Sequence, residues 1–389
     1  MLGLLLSIVM GAANTYLGLK VGMTVSASIP AAVISMGILR GIMKRGTILE
    51  NNTVQTMAST GESLAAGVIF TVPAIVMIGA WKDFEFWPTT MIVMLGGLLG
   101  VVFMVPMRRA LIVDRPDLLY PEGVACSEVL KVGDKGDTAG MKAVGGGVLI
   151  GGIFALLLRG IYLIKGTVES AMYLGGRTLY LGSDMSVALL GVGYIVGLEI
   201  AVLITMGGVI GWWIAIPLLG PAPEGVSALD HAWELWDTKV RYIGVGTMLV
   251  GGVHSILSVR KGLVGGMRAL KSAGDTSDAE RTSQDLSLGY LGMVFLVTIL
   301  GTLALYQFLT HNLGISSITT VVMVITSFLF VAVATYIAGL VGSSNSPVSG
   351  MTICALLITA GVLIGLGISA DLAILATLGV AGVVCCATC

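Results

Sequence analysis

The chain has 389 residues, of which 56% are hydrophobic and 11% charged, with a formal net charge of −1 and a mean hydropathy of +0.98. That composition excludes an ordinary soluble domain, and the charge gives no support for nucleic acid as a partner. What remains is an all-α, polytopic membrane protein, in which 55 glycines suit helices that approach closely or break.

In chain order, apolar runs of about 17–25 residues between charged breaks predict spans near 2–18, 21–42, 51–80, 88–107, 143–164, 185–219, 242–258, 287–310, 318–340, 348–368 and 371–389. This makes one transmembrane domain over 1–389 with about 10–12 spans, some of them re-entrant or broken. The first run has no basic segment before it, so it does not read as a secretory signal. Apolar runs reach both ends, and the chain is expected to be a fragment of a longer protein. Basic residues cluster near 40–50 (Arg40, Lys44, Arg45), 108–142 (Arg108, Arg109, Arg115, Lys131, Lys135, Lys142) and 259–286 (Arg260, Lys261, Arg268, Lys271, Arg281). These three connections are therefore expected on the cytoplasmic side. For 108–142 and 259–286 to share a side, 185–219 must contribute an even number of crossings. Two crossings, or a crossing beside a re-entrant element, are both compatible with its length and its glycines.

Asn51–Gly79 carries the clearest functional signal. Asn52, Gln55, Thr56, Ser59, Glu62 and Ser63 step by three, one, three, three and one, which places them on a single helical stripe within an otherwise apolar run. A carboxylate at mid-membrane costs on the order of 2.5–3.5 kcal/mol on insertion scales, so Glu62 should face water, a partner or a substrate. A second polar stretch, Ala13–Pro30, places Asn14, Tyr16 and Lys20 between apolar runs, as an interfacial turn or a functional break. Gly22-Met-Thr-Val-Ser-Ala27 is echoed by Gly350-Met-Thr-Ile-Cys-Ala355, and Ser344, Asn345 and Ser346 precede the second copy. Repeats with interrupted helices in matching positions point to a midplane site.

Other residues read less sharply. Glu199 is a further acid inside a long apolar run, as a coupling carboxylate or an interfacial residue. Glu122 follows Pro121 and suits the first turn of a helix. Cys386-Ala-Thr-Cys389 matches C-x-x-C, but with no polar loop or second pair these cysteines read as small apolar helix residues. His231, His254 and His311 are scattered, and no metal-ligand spacing occurs. His231–Trp236 reads as a short interfacial helix.

Five stretches resemble the oligopeptide transporter (OPT) family in its bacterial branch. They are Asn14-Thr-Tyr-Leu-Gly-Leu-Lys-Val-Gly-Met-Thr-Val-Ser-Ala-Ser-Ile-Pro-Ala-Ala32, Glu50-Asn-Asn-Thr-Val-Gln-Thr-Met-Ala-Ser-Thr-Gly-Glu-Ser-Leu-Ala-Ala-Gly67, Tyr120-Pro-Glu-Gly-Val-Ala-Cys-Ser-Glu-Val-Leu130, Arg241-Tyr-Ile-Gly-Val-Gly-Thr-Met-Leu-Val-Gly-Gly252 and Gly342-Ser-Ser-Asn-Ser-Pro-Val-Ser-Gly-Met-Thr352. They fall in family order across nearly the whole chain. Family members are longer, so part of their C-terminal half is expected to be missing here. The resemblance implies a multi-pass transporter of the bacterial inner membrane that moves small peptides with protons as the coupling ion and no other cofactor. A related branch carries metal–chelate complexes of the siderophore type.

Under that reading Asn14, Tyr16, Lys20, Asn52, Gln55, Ser59, Ser344, Asn345 and Ser346 line one cavity, and Glu62 and Glu199 are the candidates for proton coupling. Lys20 either attracts a peptide carboxylate or holds Glu62 charged. A passive channel is the alternative of another class. No H-E-x-x-H, G-x-S-x-G or phosphate-loop motif marks an enzyme or an intrinsic ATP motor. The expected partners are a small peptide and the lipid bilayer, and a homo-oligomer is compatible with the sequence.

Overall fold

The computed structural model describes residues 1–21, 24, 27–44, 46–113, 115, 118–134, 139–185, 187–219, 225–258, 285–343, 346 and 348–389. Contacts divide the chain into two units, residues 1–138 with 251–389, and residues 139–250.

The first unit begins with α1 (Leu2–Val21), α2 (Ser28–Met36, prolonged by π-type turns over Gly37–Ile42) and α3 (Ile48–Met77). Next come α4 (Phe86–Arg108, with π-type turns over Arg109–Val113) and α5 (Pro121–Asp134). α3 starts where Thr47 and Glu50 cap it reciprocally: the Glu50 N–H donates to Thr47 Oγ1 at 3.2 Å, and the Thr47 N–H donates to Glu50 Oε2 at 2.7 Å. α1 lies on α3 through small residues at helical spacing. A Cβ at Gly11 would stand 3.0 Å from the main-chain oxygen of Gly61, and one at Gly18 would meet the Ile69 side chain at 2.5 Å. Such backbone approach is what packs helices in a medium as apolar as their side chains.

α1 runs unbroken to Val21, which corrects the expected break at Asn14–Lys20. Asn14 is satisfied by a neighbouring helix and Thr15 donates back to the Gly11 carbonyl at 2.8 Å, so neither side chain competes with the helix. Thr24 and Ala27, the described residues between α1 and α2, are not helical.

The second unit, residues 139–250, contains α6 (Ala139–Ala155, with π-type turns over Leu156–Gly160), β1 (Thr167–Leu174) and β2 (Arg177–Asp184). After these come α7 (Val187–Gly208), π-type turns over Val209–Ala215, α8 (Ile216–Leu219) and α9 (Ala228–Leu235). π-type turns over Trp236–Val240 then lead into α10 (Arg241–Ser258), which crosses the boundary between the units. The strands form an antiparallel hairpin, closed by Gly175 and Gly176, both at positive φ (58° and 74°) as a two-residue primed turn demands. No strand was expected in this interval, so the hairpin is an addition to the helical reading. Its inner face meets α9, where Thr178 Oγ1 lies 2.8 Å from His231 Nδ1 and Trp212 stacks between Tyr180 and Trp236.

Residues 187–219 form a single helical run, about 50 Å long at ~1.5 Å per residue. The expected double crossing is therefore not found. π-type turns absorb the irregularity after Gly207 and Gly208 without reversing the chain. Most of 259–286, against which the crossings were counted, lies outside the described residues.

The first unit resumes with α11 (Leu288–Thr310), α12 (Leu313–Val341), α13 (Val348–Gly365) and α14 (Ala370–Thr388). Its main core joins α4, α11, α12, α13 and α14 through residues such as Leu99, Tyr306, Phe330, Met351 and Val384. α14 is seated against glycines of α3 and α4: Gly67 abuts Cys386, and Gly96 and Gly100 abut the Val383 and Ala387 carbonyls. Threonines of α11 and α12 donate to carbonyls four residues back, as Thr302 to Thr298 at 2.7 Å, so their hydroxyls stay satisfied in apolar surroundings. Among the described residues, seven helices are long and apolar enough to cross a membrane, and shorter apolar helices lie at Ser28–Ile42, Leu149–Leu158 and Leu372–Thr388.

Candidate functional site

The polar stripe of α3 forms the wall of two adjoining cavities in the first unit, of about 590 and 800 Å³. Asn52 lines the smaller cavity. Gln55 lines both, and Thr56, Ser59, Glu62 and Ser63 line the larger. Helical periodicity is thus expressed as one continuous polar path. Asn51, one position outside the stripe, instead turns into the protein and hydrogen-bonds Ser35 of α2. Opposite the stripe, the larger cavity is mostly apolar, with Val93, Leu98 and Met104 from α4 and Val331 from α12. Both volumes fall in the range of small-molecule sites.

Glu62 is 7% exposed. Asn14 of α1 holds it: the amide nitrogen donates at 3.1 Å to Glu62 Oε1 and at 3.1 Å to its main-chain oxygen. Ser59, one turn earlier, shares a 2.8 Å hydrogen bond with Ser28 at the start of α2. Glu62 is the single carboxylate among the described residues lining the larger cavity, and no lysine or arginine lines it.

The two cavities meet at a neck bordered by Gln55, Tyr120, Ala338 and Ser343. Tyr120 has φ +47° and immediately precedes α5. Its N–H donates to the Gly339 carbonyl at 3.0 Å, and its hydroxyl donates to the carbonyls of Leu111 (2.9 Å) and Thr335 (3.3 Å). Burial pushes the phenol above its ordinary pKa, against a smaller opposing pull from Arg115, so it remains a donor. Glu122 sits in the first turn of α5, as its position after Pro121 predicts. Its carboxylate also accepts a 2.6 Å hydrogen bond from Ser343 Oγ, just beyond the end of α12. Gly342, at φ +98°, makes that approach feasible, because a Cβ there would stand 2.6 Å from Glu122 Oε1.

The residues predicted from sequence separate into groups. Asn14, Gln55, Ser59 and Glu62 come together, Asn52 extends the same wall, and Ser346 joins it from the far side. Ser346 Oγ is buried with no hydrogen-bond partner among the described residues. Tyr16 (48% exposed) and Lys20 point away and line neither cavity, which corrects their assignment to that wall. Ser344 and Asn345 lie outside the described residues, as does most of the 22–27 copy of the repeat. Glu199 lies on α7 in the other unit, and its side chain is not among those described. Among the described residues no group of three or more His, Cys, Asp or Glu could hold a metal ion.

The sequence pattern of the OPT oligopeptide transporter proteins matches residues 1–388. The chain belongs to the OPT oligopeptide transporter family. It is 38% identical over 368 residues to a Haemophilus influenzae protein named "Putative oligopeptide transporter", a match covering 90% of this chain and 58% of that relative. The chain thus spans under two thirds of the curated relative's length. No solved structure matches it. Within this OPT protein, sequence reasoning missed Tyr120 and the second contact of Glu122. The stretch Tyr120–Leu130 was singled out, but the partner of Glu122 lies 221 residues away and no local pattern announces it.

Proposed function

We propose that the protein is a secondary active transporter, a proton-coupled symporter of small oligopeptides in the bacterial cytoplasmic membrane. The observation that carries this reading is Glu62, a buried acid on the polar wall of the larger cavity, held by the neutral amide of Asn14. With no lysine or arginine among the described lining residues, its charge changes by binding or losing one proton. Enclosing an unpaired carboxylate away from water costs several kcal/mol. An occluded cavity therefore closes at least cost with Glu62 neutral, and opening to water lets the proton leave, so that proton and substrate travel together. The stripe supplies hydroxyl and amide groups for a peptide backbone, and the apolar wall opposite takes side chains without charge selection.

The test is uptake of labelled trialanine into proteoliposomes carrying the full-length protein under an imposed pH gradient. The wild type accumulates peptide; Glu62→Gln binds it, as read by thermal shift, and does not accumulate it. Wild-type-like accumulation by the variant refutes the coupling role. Equilibration without accumulation in the wild type identifies a passive channel. Inhibition by iron or nickel chelates rather than by peptides identifies the metal–chelate reading.

A further inference from the structure

We propose that Glu122, at the neck between the cavities, receives the ammonium group of the substrate, which there replaces the Ser343 hydroxyl on the carboxylate. The inference rests on the peptide-transport reading and assigns an end of the substrate to a residue of this chain.

Position is the first argument. Glu122 lines the smaller cavity, and its partner Ser343 borders both, so anything passing between the cavities passes this hydrogen bond. Charge is the second. The charged residues among the described lining of the two cavities are Glu62, Glu122 and Lys131. Lys131 lies 2.8 Å from the Glu128 carboxylate, so the path presents acid to the substrate and suits its amino end better than its carboxylate. Exchange is the third. Ser343 is exposed and lies beyond the last turn of α12, after Gly342, so it can withdraw without unwinding a helix. A hydrogen bond between two ionised groups is roughly twice as strong as one between neutral groups, and an ammonium therefore outcompetes a hydroxyl for the carboxylate.

The experiment measures KM in the same proteoliposomes for trialanine, for N-acetyl-trialanine and for trialanine amide. In the wild type, N-acetylation raises KM by about tenfold or more, as loss of a hydrogen bond to a charged group does, whereas amidation changes it little. Glu122→Gln raises KM for trialanine and abolishes the discrimination against the acetylated peptide. Ser343→Ala lowers KM for trialanine and leaves that of the acetylated peptide unchanged, because the competing hydroxyl is gone; a merely structural contact has no such sign. Equal wild-type KM for trialanine and its acetylated form overturns the inference, as does an equal rise for both in either variant. If Glu122→Gln fails to reach the membrane, the wild-type ratio and Ser343→Ala decide. Uptake of none of the three peptides by the wild type sinks the transport reading itself; uptake without amino-end discrimination sinks this inference alone.

Discussion

Replacing Gly100 by alanine tests whether the seating of α14 on α4 shapes the cavity. The new Cβ would stand 2.5 Å from the Ala387 carbonyl oxygen and 3.2 Å from its carbonyl carbon. Real Cβ atoms essentially never come closer than 3.0 Å to such an atom, so α14 must retreat by at least 0.5 Å. The obstacle is backbone and cannot rotate away. A gap of 0.5–1 Å already forfeits about a quarter to a half of the dispersion attraction between facing atoms, and overpacking of this kind costs about 1–3 kcal/mol. Gly97 is the matched control on the same helix: its Cβ would meet only the Leu64 side chain, at 3.2 Å. Both substitutions gain the same intrinsic helix propensity, about 1 kcal/mol. The difference between them therefore isolates the backbone contact, and Gly100→Ala should be less stable than Gly97→Ala by about 1–3 kcal/mol. Because Cys386, Ala387 and Thr388 line the larger cavity, Gly100→Ala should also reduce peptide uptake. Thermal melts in one detergent, followed by uptake in proteoliposomes, make the comparison. Equal melting temperatures for the two variants refute the packing argument.

Two further outcomes follow from the same geometry. Asn14→Leu leaves Glu62 Oε1 without its amide donor and should destabilise the protein by about 1–3 kcal/mol, whereas adding Glu62→Leu should recover part of that loss by removing both polar partners; additive losses in thermal melts would contradict the pairing. Cys389 is exposed in the larger cavity while Cys126, Cys354, Cys385 and Cys386 are buried, so a water-soluble maleimide should label Cys389 fastest and bound trialanine should slow it. Labelling of Cys385, which is buried and does not line the cavity, at the same rate would place the cavity wall elsewhere.

The spans and the stripe were legible because they are periodic. An apolar run of about 20 residues and a polar row at three-to-four spacing are local signals, and α3 follows both. What was not legible depends on partners distant in sequence. The stretch around Asn14 looked like a break because polar residues interrupted an apolar run; in the fold, Glu62 supplies the partner that lets the helix continue. The hairpin was readable in principle. Gly175-Gly176, the two-residue turn signal, separates two short runs containing the strand-favouring Thr167, Val168, Tyr173, Thr178 and Tyr180, but a search for long apolar runs passes over eight-residue strands. Residues 187–219 show the opposite error, because length and glycine content suggested a reversal where the backbone continues as one helical run.

Whether the cavities are a working site or incidental space turns on where the fold departs from ordinary rules. Such departures tend to concentrate at functional sites, since elsewhere nothing compensates for them. Single exceptions do occur away from the cavities: Thr89, Tyr306 and Thr377 bury hydroxyls with no partner among the described residues, and Lys44, Tyr162 and His311 have positive φ. Around the neck, several coincide. Tyr120 has positive φ just before α5, and Gly342 has positive φ just after α12. Ser346 Oγ is buried without a partner among the described residues, and Glu62 is an acid enclosed in a spanning helix. The Tyr120 and Glu122 hydrogen bonds join the start of α5 to α12 and to Ser343 beyond it, and Tyr120, Ser346 and Glu62 line the same larger cavity. A fold optimised only for packing would replace Glu62 and Ser346 with apolar residues and gain stability by doing so. Their presence along one path, beside the positive φ of Tyr120, is the pattern expected of a route that must open.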